Sequence, residues 1–247
     1  MDEADLSLRT TLPMKALVKR ALATFRIEAK RIPKNRFRWL HAMDINTVLD
    51  IGANTGQFAS MMHRILPQSD IYSFEPLADC FERLEKEMAH IKQFRAFQCA
   101  LGDEDDEVEM HRSAFSPSSS LLSMKQLHAR LFPFTAKTWL ERVPVRKLDG
   151  IVASLGLRDN LLIKIDVQGY EDRVIRGGKD TVSRAKVLIV ETSFQTLYDS
   201  QILFDSIYEM LKKLGFRYTG NMDQLNNPLD GSVLQCDAVF VNTSMGH

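Results

Sequence analysis

The sequence predicts an α/β fold built on a mostly parallel β-sheet, and three observations carry this prediction. From about residue 47, short apolar segments rich in β-branched residues alternate with segments of helical periodicity. The first apolar segment runs directly into a glycine turn, VLDIGANTGQF at residues 48–58. Two later segments, NLLIKID and AKVLIVE, are apolar along almost their whole length, which is typical of parallel strands buried on both faces.

The predicted elements follow in a regular order along the chain. The predicted strands are INTVLDIG, DIYSFEP, FRAFQCALGD, NLLIKIDVQG, AKVLIVETSF, FRYTG and LQCDAVFV. The predicted helices between them are QFASMMHRIL, LADCFERLEKEMAH, LDGIVASLGL, YEDRVIRGGKDTVSR with its Gly-Gly interruption, and QILFDSIYEMLKKLGF. A polar stretch, NMDQLNNPLDG, predicts turns between the last two strands. Strands that alternate with helices imply right-handed crossover connections within one sheet.

Two regions lie outside this alternation. Residues 1–44 are predicted to be a basic N-terminal helical extension, and residues 45–247 the main domain. Residues 12–39 contain nine lysines and arginines but a single acid, Glu28. This charge predicts either a solvated helix that caps the domain or a docking helix for an acidic partner, an anionic substrate or a peripheral membrane surface. Residues 103–147 begin with the acidic run DEDDEVE, and we expect an inserted loop over the binding site there.

The composition argues against several classes of protein. The formal net charge is zero, so no overall field favours nucleic acid, and we expect no nucleic-acid partner. The three cysteines are far apart and form no CxxC pair, which argues against a disulfide framework or a zinc site and for a reducing compartment. No apolar run is long enough to cross a bilayer, and the acidic start MDEAD is not typical of a secretory signal. We therefore expect a cytoplasmic location.

The glycine turn predicts a nucleotide-type binding site at the carboxyl ends of the strands. Glycines permit close approach to the backbone, and the helix that follows presents free N–H groups at its N-terminus. The GxGxxG pattern of dinucleotide sites is missing, because Asn54 takes the place of the middle glycine. Asp50, at the end of the strand, disfavours phosphates by charge repulsion and favours a ligand with a positively charged amino acid head.

Glu75 makes this prediction more specific. It ends the second predicted strand, where an acid commonly accepts hydrogen bonds from both ribose hydroxyls. An acid for an ammonium group, glycines for close approach and an acid for a ribose together indicate S-adenosylmethionine. The alternative interpretation is an ordinary turn with two surface acids.

Six segments together identify a family resemblance. They are VLDIGANTGQF, YSFEP, FQCALGD, LLIKIDVQGYEDRVIRGG, LIVETSFQTLYDSQILFDSIYEMLKKLGF and LQCDAVFV, and they cover most of residues 45–241. In these segments the chain resembles the FkbM family of S-adenosylmethionine-dependent methyltransferases. The resemblance implies a Rossmann-like class I methyltransferase fold, with helices on both faces of the sheet and an antiparallel last strand. It also implies O-methylation, typically of a sugar, a sugar-containing natural product or a polysaccharide, so we expect a saccharide or other small-molecule acceptor.

The resemblance also assigns the cofactor contacts residue by residue. It places the ribose at Glu75 and the adenine against the end of the third strand. The residues assigned to the methionine-side loop are Asp50, Gly52, Ala53, Asn54 and Gly56, and those assigned to the adenine are Cys99, Ala100 and Leu101. One departure is Gln168, where many family members have glutamate. Glutamine keeps hydrogen-bonding capacity without the charge, so no acid–base role is predicted for it.

Asp166 and Glu191 are the predicted catalytic residues. They end two buried strands that we expect to be adjacent and parallel, so both carboxylates should flank one rim of the pocket. Three interpretations stay open: both bind Mg²⁺ or another divalent cation, one is a general base and the other orients the acceptor, or Asp166 contacts the methionine amine while Glu191 pairs with a basic residue. Lys164 shares a strand face with Asp166, and its expected partners are Asp50 and Glu191.

Other polar and aromatic residues are weaker candidates. Glu171 is expected to favour the start of a helix electrostatically or to contact the substrate. A proton-accepting, hydrogen-bonding or stacking role competes with plain solvation or core packing at His111, His128, Ser118, Ser119, Ser120, Phe134 and Trp139.

Two other functional classes fit the same fold. A non-catalytic S-adenosylmethionine-binding scaffold is disfavoured by the presence of Asp166 and Glu191. A nicotinamide-dependent oxidoreductase is disfavoured by Asp50 and by the missing GxGxxG pattern.

Overall fold

The structure, a computed structural model, describes residues 37–244 of the chain. The predicted basic helix of residues 12–39 therefore lies almost entirely outside the described residues. Where the description begins, Phe37 and Leu40 pack into the same core cluster as the first strand. The predicted domain boundary at residue 44 stays a prediction. Among residues 37–244, no helix is both long enough and apolar enough to span a membrane.

Ten strands and eight α-helices occur in the described residues. In chain order the strands are β1 (Thr47–Ile51), β2 (Asp70–Phe74), β3 (Phe94–Phe97), β4 (Ala100–Leu101), β5 (Asp106–Ser113), β6 (Thr138–Arg146), β7 (Leu161–Ile165), β8 (Ala185–Ser193), β9 (Phe216–Asn226) and β10 (Val233–Asn242). The α-helices are α1 (Arg38–Ala42), α2 (Gln57–Ile65), α3 (Ala78–Met88), α4 (Gln126–Leu131), α5 (Leu148–Val152), α6 (Glu171–Gly177), α7 (Lys179–Ser183) and α8 (Phe204–Lys213).

Seven of these strands form the central sheet in the order β3-β2-β1-β7-β8-β10-β9. β1 pairs in parallel with both β2 and β7, and β7 pairs in parallel with β8. β10 is antiparallel to β8 and to β9. The strand order reverses between β1 and β7, so the carboxyl ends of these two strands frame a crevice.

Helices cover both faces of this sheet because its central strands are apolar on both sides. On one face, Val48 and Leu162 pack with Leu84 of α3. On the other face, Leu49 and Ile163 pack with residues of α5 to α8. The predicted α/β class, with a mostly parallel sheet, helices on both faces and an antiparallel last strand, is confirmed.

Residues 103–147 differ from the predicted loop, because they contain most of a second, three-stranded sheet. Its strand order is β4-β6-β5, with β5 and β6 antiparallel and β4 parallel to β6. The predicted third strand, FRAFQCALGD, is divided between the two sheets as β3 and β4. Met110, Val143 and Val145 pack on Leu77 and Ala100 in a small core of their own. This packing fixes the segment against the ends of β2 and β3.

The polar stretch after the sixth central strand also differs from its prediction. Residues 221–226 continue β9 instead of forming a turn, and the chain reverses only over residues 227–232. Pairing with β10 continues along β9 as far as Asn226. Polar residues hide this strand in the sequence, because much of its length is partly exposed.

Candidate active site

A cleft lies at the carboxyl edge of the central sheet, where the strand order reverses. The empty space within the cleft and at its open mouth is about 660 Å³. The segments that follow β1, β2 and β7 line it, together with β4 and residues 116–121 of the inserted segment. The second sheet therefore supplies part of the wall of the cleft.

The glycine turn adopts the backbone conformation that the sequence predicts. Its glycines, however, make room for other parts of the protein and not only for a ligand. Gly52 and Gly56 have φ angles of 81° and 90°, which side chains disfavour. A Cβ atom on Gly52 would collide with the carbonyl oxygen of Asp166, and a Cβ on Gly56 would meet Leu84. The missing side chains therefore make room for protein atoms and bring the turns after β1 and β7 together. Of the two glycines, Gly52 also lines the cleft.

Glu75 lines the cleft as a buried carboxylate, 5% exposed. Its two oxygens accept the backbone N–H groups of Asn54, at 2.8 Å, and Leu77, at 2.9 Å. Burial raises the pKa of Glu75 to about 7, and the two N–H groups oppose that rise. The side chain thus holds the glycine turn to the end of β2 while it faces the predicted ribose position.

Asp50 does not line the cleft. Its side chain is fully buried on the α2 side of the sheet, where Ser73 Oγ donates to Oδ2 at 3.4 Å. Within residues 37–244, Oδ1 has no hydrogen-bond partner. Burial raises the pKa of Asp50 to about 6, against the opposing effect of Lys164. Contact between Asp50 and the cofactor ammonium therefore stays a prediction, and Asp166 is the acid beside Gly52 that does line the cleft.

Of the other residues assigned to the cofactor, some line the cleft and some do not. Ala53 and Gly56 lie outside the cleft lining, whereas Asn54 lies within it and its side chain donates to Ser116 Oγ at 3.1 Å. The three residues assigned to the adenine all line the cleft: Cys99, Ala100 and Leu101.

The cleft fits S-adenosylmethionine on the chemistry of its lining. Apolar side chains, with Phe74, Leu101 and Met110 among them, suit the adenine. Glu75 is placed to accept ribose hydroxyls, and Asp166 brings negative charge for the positively charged methionine end. Burial raises the pKa of the Cys99 thiol to about 11, so this side chain stays neutral in the part of the cleft assigned to the adenine.

Asp166 and Glu191 meet at the rim of the cleft through a third side chain, Gln168. The Gln168 Nε2 group donates to Asp166 Oδ1 at 3.0 Å and to Glu191 Oε2 at 2.7 Å. Asp166 and Gln168 line the cleft, and half-buried Glu191 lies directly behind Gln168. The structure thus brings the two predicted catalytic residues together.

Lys164 pairs with Asp166, its Nζ lying 2.7 Å from Oδ2. We expected Asp50 and Glu191 as partners, but the nearest carboxylate is two residues further along the same chain. Lys164 is buried, and it also lies 5.4 Å from the ring centroid of Phe58. The negative charges of Asp166, Asp237 and Asp50 raise the pKa of Lys164, so the ammonium stays charged despite its burial.

The surroundings of Glu191 raise its pKa. Burial raises its pKa well above the ordinary value, and the negative charges of Asp166, Glu171 and Asp237 raise it further. Among the described residues, only Gln168 donates a hydrogen bond to Glu191, and it does so on Oε2. Oε1 is therefore left without a protein donor in residues 37–244.

Glu171 supports the turn after β7 and does not line the cleft. Its Oε1 accepts the backbone N–H groups of Val167, at 3.2 Å, and Gly169, at 3.0 Å. Burial raises the pKa of Glu171 to about 7. It thus holds the backbone on both sides of Gln168 at the start of α6.

Two residues that hold Gln168 in place, Tyr198 and Ser120, were not predicted from the sequence to have this role. The Tyr198 hydroxyl donates to Gln168 Oε1 at 2.8 Å, and the Ser120 hydroxyl donates to the Gln168 carbonyl at 2.6 Å. Both side chains are buried. Neither contact has a local signal in the sequence, because Tyr198 lies 30 positions and Ser120 lies 48 positions from Gln168.

The two histidines and the two aromatic candidates lie outside the cleft lining. His111 Nε2 is 3.0 Å from Ser123 Oγ, and His128 is buried between the rings of Phe132 and Tyr198. Trp139 is exposed with Arg112 over its ring, and Phe134 packs on Phe115.

Of the three serine candidates, Ser119 lines the cleft, where its hydroxyl accepts the N–H of Ser113. Ser118 is buried, and its carbonyl lies 3.3 Å from the Tyr198 hydroxyl.

The predicted cation position between Asp166 and Glu191 carries the amide of Gln168. In the part of the chain that the structure describes, no group of three or more His, Cys, Asp and Glu side chains is arranged to hold a metal ion. Binding of Mg²⁺ by these two carboxylates stays a prediction.

Comparison with known proteins identifies the family. The sequence profile of the methyltransferase FkbM domain matches residues 50–218, more than half of the chain. The chain is 29% identical over 171 residues to the 2-O-methyltransferase NoeI of Sinorhizobium fredii, which covers 66% of this chain and 70% of that protein. It is 27% identical over 205 residues to the 31-O-demethyl-FK506 methyltransferase FkbM of Streptomyces tacrolimicus, which covers 73% of this chain and 76% of that protein.

A solved structure of a TehB-like SAM-dependent methyltransferase from Corynebacterium glutamicum aligns with 93% of this chain and 100% of its own, at 12% identity and a TM-score of 0.44. So distant a likeness adds nothing to the profile match. The strand order and the profile together give the class I methyltransferase fold that the resemblance implied. The chain belongs to the FkbM family of S-adenosylmethionine-dependent methyltransferases.

Proposed function

We propose that this protein transfers a methyl group from S-adenosylmethionine to a hydroxyl of a sugar, a sugar-containing natural product or a polysaccharide. The observation that carries the proposal is the pair of carboxylates, Asp166 and Glu191, joined at the rim of the cofactor cleft. The names of two relatives support oxygen as the accepting atom, since one is a 2-O-methyltransferase and the other a 31-O-demethyl-FK506 methyltransferase.

The cofactor supplies a methyl group activated by a positively charged sulfonium. On the protein side, Glu75 accepts the ribose hydroxyls, and the apolar wall that includes Leu101 holds the adenine and excludes water. Gly52 lets the turn after β7 lie close enough to place Asp166 beside the methionine end. This arrangement positions the donor, and positioning alone can supply a large part of the rate enhancement.

Glu191 is the general base in this proposal. A hydroxyl must lose its proton as its oxygen bonds to the methyl carbon and the carbon–sulfur bond breaks, which leaves S-adenosylhomocysteine. A carboxylate with a raised pKa is a stronger base than an ordinary one. Both Asp166 oxygens already accept hydrogen bonds, from Lys164 and Gln168. Glu191 uses only Oε2 among the described residues, so Oε1 is the atom that takes the proton. Asp166 stays beside the methionine end and holds Glu191 in place through Gln168.

The test is methyl transfer from methyl-labelled S-adenosylmethionine to a panel of monosaccharides, oligosaccharides and hydroxylated natural products. Amines and thiols of similar size serve as comparison acceptors. We expect label in hydroxyl-bearing products only, with an O-methyl signal by NMR. Label on nitrogen or sulfur would overturn O-methylation. Tight binding of S-adenosylhomocysteine with no transfer to any acceptor would favour the non-catalytic scaffold.

A further inference from the structure

The amide of Gln168 lies where a cation that bridges Asp166 and Glu191 would lie. One nitrogen, Nε2, is within hydrogen-bonding distance of a carboxylate oxygen on each side, at 3.0 and 2.7 Å. An amide nitrogen carries two N–H groups, so it satisfies both carboxylates at once. A metal ion at the same point would need the place of this nitrogen.

The orientation of the amide is fixed by its other end. The Tyr198 hydroxyl donates to Gln168 Oε1 at 2.8 Å. If the amide were turned by half a rotation, its oxygen would face two carboxylate oxygens and its nitrogen would face a hydroxyl. The surrounding groups therefore decide the assignment of nitrogen and oxygen.

The backbone that carries Gln168 is held as firmly as its side chain. Its φ angle is 55°, a left-handed conformation that is unfavourable for a non-glycine residue. Ser120 Oγ donates to its carbonyl at 2.6 Å, and Glu171 accepts the N–H groups of Val167 and Gly169 on either side. A strained conformation held by this many contacts points to a function for the side chain.

The local charges explain why such a bridge is needed. Asp166 has a cationic partner in Lys164, whereas no described ion pair involves Glu191. Two carboxylates this close repel each other unless a donor or a cation lies between them. The N–H groups of Gln168 supply that donor without a charge of their own.

We propose that Gln168 is a positioning residue that replaces a bridging cation, so that this enzyme holds Asp166 and Glu191 in their reactive geometry without a divalent metal. The inference rests on the proposed function for the role of Glu191 as base. Its structural half, the exclusion of a cation by the amide, stands independently of turnover.

The test replaces Gln168 by glutamate, which keeps the size of the side chain and exchanges two N–H groups for an oxygen. Three carboxylates then converge on one point. In Gln168→Glu without metal, we expect kcat to fall at least about 100-fold, because a third carboxylate repels Asp166 and Glu191 out of the geometry that the amide holds. We expect the KM for S-adenosylmethionine to change less than about threefold. Mn²⁺ should restore at least about a tenth of the wild-type kcat, a response that a merely structural role would not give.

Metal binding is measured separately, by calorimetric titration of Mn²⁺ into the cofactor-free proteins. Gln168→Glu should bind one Mn²⁺, and the wild type should bind none at the same concentrations. Gln201→Glu is the matched control. Gln201 is also buried and close to Gly169, but its amide donates to Ser193 Oγ instead of a carboxylate. This variant should bind no Mn²⁺, which would show that a new buried carboxylate alone does not create the cation site.

Several results would overturn the proposal. One is wild-type activity that is lost after chelation and restored by Mg²⁺ or Mn²⁺. Another is equal binding of Mn²⁺ by the wild type and Gln168→Glu. A third is full activity of Gln168→Glu in chelator. If the wild type methylates no hydroxyl, the proposed function fails, whereas the metal titrations still decide on the amide bridge. For each variant, binding of S-adenosylhomocysteine and thermal unfolding show that the protein is folded and that its cofactor site is intact.

Discussion

The two halves of the cleft are built in different ways. The cofactor half comes from turns directly after β1 and β2, and backbone groups hold it together, as where Glu75 accepts two N–H groups. The other half, where we propose that the acceptor binds and which we call the acceptor half, is joined by side chains that are far apart in sequence, such as Gln168 with Glu191 and Tyr198. Changes to backbone shape should therefore damage the first half, and single lost donors or bases should damage the second.

The largest effect on cofactor binding is expected at Gly52, where the two halves touch. Gly52→Ala places a methyl group against the Asp166 carbonyl at a φ angle of 81°, so the turns must separate. We expect the affinity for S-adenosylhomocysteine to fall at least about 100-fold, or about 2.7 kcal/mol, by calorimetry. Gly231→Ala is the matched control, because its φ is 78° with no atom within 4 Å of the added methyl. If both variants bind equally well, close approach at Gly52 is unimportant.

Glu191→Gln should separate chemistry from cofactor binding. The variant keeps a side chain of the same size and loses the base, so we expect kcat to fall about 10²–10⁴-fold. The Kd for S-adenosylhomocysteine should stay within about twofold, because Glu191 lies behind Gln168 and outside the cofactor contacts. Single-turnover rates measured at saturating cofactor check the first value. Unchanged kcat would remove Glu191 as the base.

Glu75 gives the cofactor half its own pH dependence. Its pKa is raised to about 7, and the ribose hydroxyls that we propose it binds would donate to the ionised carboxylate. The affinity for S-adenosylhomocysteine should therefore rise as pH increases through about 7 and become constant above it. Glu75→Gln should weaken binding at pH 8 by about 1–3 kcal/mol and remove this pH dependence. A wild-type affinity that is the same from pH 5.5 to 8.5 would contradict the ribose role.

The smallest expected effect concerns stability beneath the acceptor half. Burial lowers the pKa of His128 to about 4, so at pH 5 the unfolded chain binds this proton more readily than the folded protein. Stability is therefore lost as pH falls from 6.5 toward 4. His128→Phe should lessen the loss in unfolding free energy between pH 7 and pH 5 by about 2 kcal/mol, measured by urea denaturation. The exposed position His90 supplies the control, His90→Gln.

Local patterns in the sequence were enough to predict the fold class and the cofactor half. The buried strands are continuous apolar runs, and the glycine turn and Glu75 each follow a strand directly. The alternation of side-chain directions along a strand, however, argues against Asp50 as a cleft residue. Side chains in a strand point alternately to opposite faces, so Asp50 shares a face with Val48, whereas Ile51 lines the cleft.

The acceptor half and the second sheet were predicted less completely. β5 begins in a run of acidic residues, and its pairing with β6 spans about thirty residues, so no local pattern shows it. Tyr198 meets Gln168 across 30 positions of sequence. Lys164 pairs with Asp166, which follows it by two residues and shares its strand face, so residue spacing did offer this partner and the expected partners were wrong. The pairing of β5 with β6 and the contact of Tyr198 with Gln168 depend on tertiary packing, which residue spacing does not encode.

The most direct test of the separation between the halves is a calorimetric double-mutant cycle with S-adenosylhomocysteine. Glu75→Gln, Glu191→Gln and the double variant are titrated beside the wild type at pH 8. If the halves are independent, Glu191→Gln leaves Kd within about twofold in either background, and the coupling energy stays below about 0.5 kcal/mol. A coupling above about 1 kcal/mol would contradict the account, because the base at the rim would then form part of the cofactor site.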